Sequence, residues 1–114
     1  MGVLQLSDIK EITNALLNFR DERDWAQFHN EKDLALALNI EAGELLETFL
    51  WKSSEQADPE KVKEELADVL AFAFLMAEKY GFDVKQIILE KIAKNAVKYP
   101  VSKSKGIAKK YTEL

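Results

Sequence analysis

The sequence of 114 residues contains no cysteine, only two prolines and four glycines, and a single histidine. Without cysteine the chain can form neither a disulfide nor a thiolate metal site, and it suits a reducing compartment. The few prolines and glycines fall where they do little harm to helices, and no alternating apolar–polar stretch indicates a half-buried strand. We therefore predict an all-α fold.

The sequence also lacks the features that a nucleic-acid or membrane partner would need. Its formal net charge is −4, so no overall basic field exists to hold a nucleic-acid polymer. The longest apolar stretch, residues 34–51, is interrupted by three glutamates and does not qualify as a membrane span. Residues 1–14 lack the basic and apolar regions of a signal peptide. We predict a cytoplasmic protein.

Capping residues and apolar periodicity predict four helices. The third has the clearest ends, because Asp58-Pro59 is a start signal and Gly81 is a stop signal. Short loops favour an antiparallel four-helix bundle in one domain, residues 1–100, followed by a tail, residues 101–114, that is irregular or ordered by a partner. The first helix is predicted to start at residue 7 or 8 and to fade near 23–27. The second should run from a cap at residue 30 to about 51, the third over 59–80, and the fourth from a cap at residue 83 to a stop at 99–100.

Two pairs of acids lie on the apolar faces of the second and third helices. Glu41 and Glu44 are three residues apart, as are Glu65 and Asp68, so each pair shares one helix face. Buried carboxylates are costly and repel one another unless a cation holds them. Oxygen ligands suit Mg²⁺, or Mn²⁺, and Mg²⁺ often takes substrate phosphates as further ligands. The pattern predicts a metal site that serves phosphate chemistry.

Other interpretations of the acids remain open from the residues alone. They can be solvated and form surface ion pairs, for example between Lys61 and Glu65. The chain would then be a non-catalytic helical oligomerisation or regulatory module. A carboxylate-bridged di-iron protein is disfavoured, because such bundles usually carry Glu-x-x-His pairs and neither acid pair here is followed by a histidine.

The segments Glu41-Ala-Gly-Glu44 and Glu65-Leu-Ala-Asp68 resemble the ExxE…ExxD signature of the MazG-like all-α nucleotide pyrophosphohydrolases. Residues 23–29, 49–53 and 91–100 resemble the dCTP pyrophosphatase-like branch of that superfamily. The resemblance implies that the four acids bind Mg²⁺. It also implies cleavage of a nucleoside triphosphate, dCTP or a modified dCTP being the best guess, between the α and β phosphates, and a bundle completed by dimerisation, often in a tetramer.

One position departs from the pattern of the broader superfamily. That pattern often reads EExxE, and Ile40 stands here at the first acid position. One possible ligand is therefore lost, and the number of metal ions stays undetermined. Glu47, one turn beyond Glu44, is expected to support the ligands, and no general base is assigned.

Both tryptophans and the histidine are candidates for binding the nucleoside. Pattern alone favours core packing for Trp25 and Trp51, since tryptophans are usually mostly buried. The resemblance implies instead that they stack on the base. For His29, pattern favours a surface or capping role, and the resemblance places it near the base or sugar.

Four residues of the fourth helix recur at intervals of three or four, so that several of them share one face. They can bind the β and γ phosphates through ammonium, amide and hydroxyl groups. Alternatively they form a solvated helix end, where lysines interact favourably with the helix dipole; Arg23 has the same ambiguity. The four residues are Lys91, Asn95, Lys98 and Tyr99.

Overall fold

The computed structural model describes residues 6–114, and no strand occurs among them, which confirms the all-α class. The prediction that residues 1–14 are not a signal peptide falls partly on residues 1–5, which lie outside the described residues. None of the helices in residues 6–114 has the length and apolar character that a bilayer crossing requires. The helices are α1 (Asp8–Glu22), α2 (Glu31–Glu47), α3 (Pro59–Tyr80), α4 (Val84–Lys98) and α5 (Val101–Ser104).

The chain forms two compact units, and the first, which ends at Gly81, contains α1, α2 and α3. In this unit α2 packs along α3, and α1 also contacts α3. Leu34, early in α2, and Leu75, late in α3, line one cavity, whereas Glu41 meets Glu65 further along. The two helices are therefore antiparallel. Leu34 and Leu75 are buried in the core together with Ala77.

Local capping fixes where α2 and α3 begin. The Asn30 side chain accepts a hydrogen bond from the Asp33 backbone N–H at 2.9 Å. The Asp58 side chain likewise accepts from the Glu60 backbone N–H at 3.0 Å. α3 ends at Gly81, whose φ of 71° lies in the left-handed region that glycine adopts without steric cost. These signals are local in sequence, and they set which residues of α2 and α3 face each other.

α2 ends at Glu47, one turn earlier than the predicted end at Trp51. Beyond it the chain forms tight turns, in which the Phe49 N–H donates to the Leu46 carbonyl at 3.0 Å. Trp51 then adopts a φ of 60°, which costs a residue other than glycine roughly 1–2 kcal/mol. The prediction of a longer helix was wrong because neither glycine nor proline marks this reversal.

The second compact unit starts at Phe82 and contains α4 and α5. The Asp83 side chain caps α4 by accepting from the Gln86 backbone N–H at 2.8 Å. α4 stops before Tyr99-Pro100, as predicted. The segment after Pro100, which was predicted to be irregular or ordered by a partner, contains the four-residue helix α5 and a 3₁₀ turn at Tyr111–Glu113.

Candidate metal centre

Three of the four predicted ligands meet where α2 faces α3. Carboxylate oxygens of Glu41, Glu44 and Glu65 all lie within 4.8 Å of one another. One oxygen of Glu41 and one of Glu65, the Oε2 atom in each case, are buried without a hydrogen-bond partner. Buried polar atoms normally have a partner, so two orphaned carboxylate oxygens call for an explanation. A hard cation with oxygen ligands fits this donor set.

The electrostatics of the cluster are those of partly buried acids held close together. Burial raises the pKa of Glu41 to about 7, aided by a hydrogen bond with Glu44 and by the negative charges around it. Burial and the charge of Glu44 also raise the pKa of Glu65. Raised carboxyl pKa values report the cost of burying negative charge and the repulsion between like charges, both of which a proton or a metal ion relieves. The arrangement is therefore suited to binding a cation.

Asp68, the fourth predicted ligand, lies one turn beyond Glu65 on α3. It is exposed, and it is not one of the three acids whose oxygens converge within 4.8 Å. Its negative charge nevertheless raises the pKa of both Glu41 and Glu65. Asp68 therefore belongs to the same electrostatic cluster but stands at its edge.

His29 lies at a separate cavity in the first unit. Its Nδ1 is buried without a hydrogen-bond partner, and its ring meets Phe72 edge-on at a centroid distance of 6.4 Å. Burial lowers the pKa of His29, and the charges of Arg20 and Lys79 lower it further, so the ring is neutral at pH 7. The cavity of about 170 Å³ is lined by Leu17, Arg20, His29, Leu34, Leu75, Glu78 and Lys79.

Sequence reasoning did not single out the charged side chains that line this cavity. Arg20 follows Leu16 and Leu17 on α1 at helical spacing, and Lys79 is one turn beyond Leu75 on α3. These positions continue apolar stripes, which is the same signal that identified the acids. The signal was available, but no known motif drew attention to it.

The two tryptophans lie at opposite ends of α2. Trp25 precedes the helix and packs edge-on against Phe19 at a centroid distance of 5.8 Å. Trp51 follows the helix and is 93% exposed. α2 contains 17 residues, which at about 1.5 Å per residue span about 25 Å. Trp25 and Trp51 of one chain are therefore not brought together.

The predicted phosphate-binding residues all belong to the second unit. Lys91 and Lys98 are exposed, whereas Asn95 and Tyr99 are half-buried. Tyr99 closes α4, its backbone N–H donating to the Asn95 carbonyl at 2.8 Å. Lys98 and Tyr99 also contact Tyr111, a residue that the sequence pattern did not identify.

Comparisons with known proteins agree with this architecture. Mouse (Mus musculus) dCTP pyrophosphatase 1 is 39% identical over 114 residues, which cover 93% of this chain and 67% of the relative. Human (Homo sapiens) dCTP pyrophosphatase 1 is 35% identical, with coverages of 93% and 67%. A crystal structure of a pyrophosphatase from Archaeoglobus fulgidus DSM 4304 matches with a TM-score of 0.78 and 32% identity, covering 88% of this chain and 99% of that one.

Most of the chain matches the model of one protein family. The model of the MazG-like family matches residues 36–114, a range that contains all four predicted metal ligands and the C-terminal segment. The resemblance carried by the two acid pairs is thereby confirmed. This chain belongs to the MazG-like family.

Proposed function

We propose that this chain is a metal-dependent nucleoside triphosphate pyrophosphohydrolase, which releases the nucleoside monophosphate and pyrophosphate. The observation that carries the proposal is the convergence of Glu41, Glu44 and Glu65 with two orphaned buried oxygens. Membership of the MazG-like family and similarity to proteins named as pyrophosphatases support the reaction class.

Mg²⁺, or Mn²⁺ in its place, would be held by Glu41, Glu44 and Glu65, with Asp68 as a fourth oxygen donor. When bound, such an ion neutralises phosphate charge and makes water a stronger nucleophile at neutral pH. The protein's own contribution is to hold three carboxylates at fixed positions on two packed helices. Rigid helices position such groups more accurately than loops do.

The reaction adds water across the anhydride bond between the α and β phosphates. The P–O bond to the bridging oxygen breaks, and that oxygen leaves with one of the two products. A triphosphate is highly anionic, so its binding needs positive partners as well as a metal ion. Lysines outnumber acids in residues 82–114. Lys91, Asn95, Lys98 and Tyr99 are the groups that would bind the β and γ phosphates.

The substrate proposed first is dCTP or a modified dCTP, since two of the relatives are named dCTP pyrophosphatase 1. Trp25 and Trp51 would stack on the base, and His29 would contact the base or the sugar. A cytoplasmic location stays a prediction from the sequence.

Trp51 provides a test in which binding and stability should move in opposite directions. Replacement by glycine should raise KM about tenfold or more, because base stacking contributes about 1–3 kcal/mol. The melting temperature should stay the same or rise, because glycine adopts the positive φ at this position without a steric penalty. Steady-state kinetics and thermal unfolding measure the two effects. An unchanged KM would remove Trp51 from the base site.

A second copy of the chain would complete the site. Trp25 and Trp51 lie too far apart in one chain to enclose the same base, so two copies would each supply one of them. Apolar side chains on α2 and α3 support this proposal, because they are exposed in the single chain. They include Leu36, Ile40, Leu66 and Leu70.

Oligomerisation can be tested at Leu36, which is 52% exposed. Light scattering should give the wild type a mass that is a multiple of the chain mass of 13.0 kDa. Leu36→Lys should shift the protein toward the single chain and reduce activity. Lys32→Ala, one turn earlier on α2, serves as the matched surface control and should do neither. A monomeric wild type with full activity would contradict the proposal.

The reaction is tested by assaying the release of pyrophosphate from the four dNTPs and the four NTPs, with Mg²⁺ and with EDTA. Metal-dependent release of pyrophosphate and monophosphate is expected, and the best substrate identifies the base. Release of orthophosphate would show cleavage at a different bond. A folded protein that turns over none of the eight nucleotides would favour the alternative, a non-catalytic helical module.

A further inference from the structure

One side chain of the 3₁₀ turn near the C-terminus, that of Tyr111, contacts residues at the end of α4. The ring of Tyr111 meets the ring of Tyr99 edge-on, with a centroid distance of 5.9 Å and an interplanar angle of 82°. The Lys98 Nζ atom lies 4.9 Å from the centroid of the Tyr111 ring. Tyr111 thus contacts two consecutive residues, Lys98 and Tyr99, both of which are proposed to bind phosphate.

Both contacts of Tyr111 have a geometry that restricts the motion of the side chain it touches. An ammonium group within about 6 Å of an aromatic centroid is attracted by the negative face of the ring. An edge-to-face pair is one of the arrangements that aromatic rings prefer. A lysine ammonium has three N–H donors, so a ring on one side of it leaves donors for a ligand. Tyr111 therefore restricts where Lys98 and Tyr99 point.

We propose that Tyr111 is a positioning residue, which holds Lys98 and Tyr99 ready to bind the phosphate groups of the substrate. The inference rests on the proposed function, and in it Tyr111 acts through these two neighbours. Side chains that are ordered before binding lose less conformational freedom when the ligand arrives, so the ligand binds more tightly. Tyr111 would then support substrate binding from outside the group of residues that touch the phosphates.

The alternative is that Tyr111 only closes the second unit by packing. Packing alone would be served by an aliphatic side chain, whereas the proposal needs an aromatic face for Lys98 and an aromatic ring for Tyr99. Tyr111→Leu keeps apolar bulk without a ring, and Tyr111→Phe keeps the ring without the hydroxyl. Thr112→Ala changes an exposed neighbour in the same turn and serves as the matched control.

Steady-state kinetics would be measured for the wild type and the three variants, together with the Kd of inorganic pyrophosphate by calorimetry in Mg²⁺. Tyr111→Leu should raise KM and this Kd about fivefold, the order expected when one long side chain must be immobilised on binding and is no longer held beforehand, with kcat within about twofold of the wild type. Tyr111→Phe and Thr112→Ala should both resemble the wild type. In a Lys98→Met background Tyr111→Leu should have a smaller effect, because its main partner is gone.

Three outcomes would overturn the proposal. They are a Tyr111→Leu variant with wild-type KM and Kd, a Tyr111→Phe variant as impaired as Tyr111→Leu, and a wild type that binds no pyrophosphate. If the wild type hydrolyses no nucleotide, the proposed function fails, and the pyrophosphate Kd values still decide the role of Tyr111. Tyr111 is 42% exposed, so folded variants are expected, and Tyr111→Gln is a second ring-less variant if Tyr111→Leu unfolds.

Discussion

Replacing Glu41 by glutamine should lower kcat/KM more than about a hundredfold, and the same change should stabilise the metal-free protein at pH 8. Even partners of metal ligands, one shell further out, typically contribute about 10–100-fold, so loss of a central ligand should exceed that range. The stabilisation has a separate cause. Glutamine is neutral and close in shape to glutamate, so it removes both the cost of burying a charge and the repulsion from neighbouring acids, which contribute to raising the pKa of Glu41 to about 7.

Both effects are measurable on one preparation, by pyrophosphate release in Mg²⁺ and by thermal unfolding in EDTA. Glu55→Gln is the control, because Glu55 is exposed in the 3₁₀ turn Ser54–Gln56 and should change neither quantity much. A Glu41→Gln enzyme with wild-type turnover would exclude Glu41 as a ligand. Lost activity together with lower metal-free stability would mean that the substitution damages the fold.

Rising pH should destabilise the metal-free protein, whereas Mg²⁺ binding should stabilise it. The pKa of Glu41 is about 7 in the folded protein and 4.5 in its ordinary state, so the folded state binds more protons between these values. Its contribution to stability is therefore complete below pH 4.5 and is lost as pH rises through 7. We expect the metal-free protein to be less stable at pH 8 than at pH 6.5.

The shifted pKa of His29 changes stability with pH in the opposite direction. This determines which pH values should be compared. Its pKa is lowered from 6.5, so it is neutral in the folded state while the unfolded state still binds a proton just below pH 6.5. Rising pH therefore stabilises the protein through His29 only up to about that value. A comparison of pH 6.5 with pH 8 leaves the carboxylates of the cluster as the dominant influence.

Mg²⁺ should restore the stability that the metal-free protein loses as the pH rises to 8. A ligand that binds only the folded state at a hundred times its Kd adds about 2.7 kcal/mol to the free energy of unfolding. The gain should be larger at pH 8 than at pH 6.5, since protons compete with the metal for Glu41. Thermal unfolding at constant ionic strength measures it, with Glu41→Gln as the variant that loses it. A wild type without this gain would be a structural module.

The parts of the fold that could be predicted from sequence are those governed by neighbouring residues. Asp58-Pro59 and Gly81 fix both ends of α3, and the i, i+3 spacing places Glu65 on the face toward α2. Trp51 could not be predicted, because its positive φ arises from the reversal of the chain toward α3. The general rule that a helix continues through an apolar run gave the wrong end for α2.

In the candidate site, too, some positions could be predicted from local sequence spacing and others could not. Glu41, Glu44 and Glu65 were predicted to meet, and they do, because each lies on the apolar stripe of its own helix. Sequence spacing treats Asp68 like Glu65, but the crossing of α2 over α3 leaves Asp68 exposed at the edge of the cluster. The environment of His29 depends on Arg20 and Lys79, which come from α1 and α3. Tyr111 reaches Lys98 through a turn that carries no strong sequence signal.

The antiparallel packing of α2 against α3 also bears on the order of folding events. The three converging acids come from helices that are consecutive in the chain, so closing a single loop assembles them. The entropy of closing a loop grows only slowly with its length, and contacts between neighbouring segments form early in folding. A cation held across this pair of helices would therefore be bound in the transition state, and it would speed folding more than it slows unfolding.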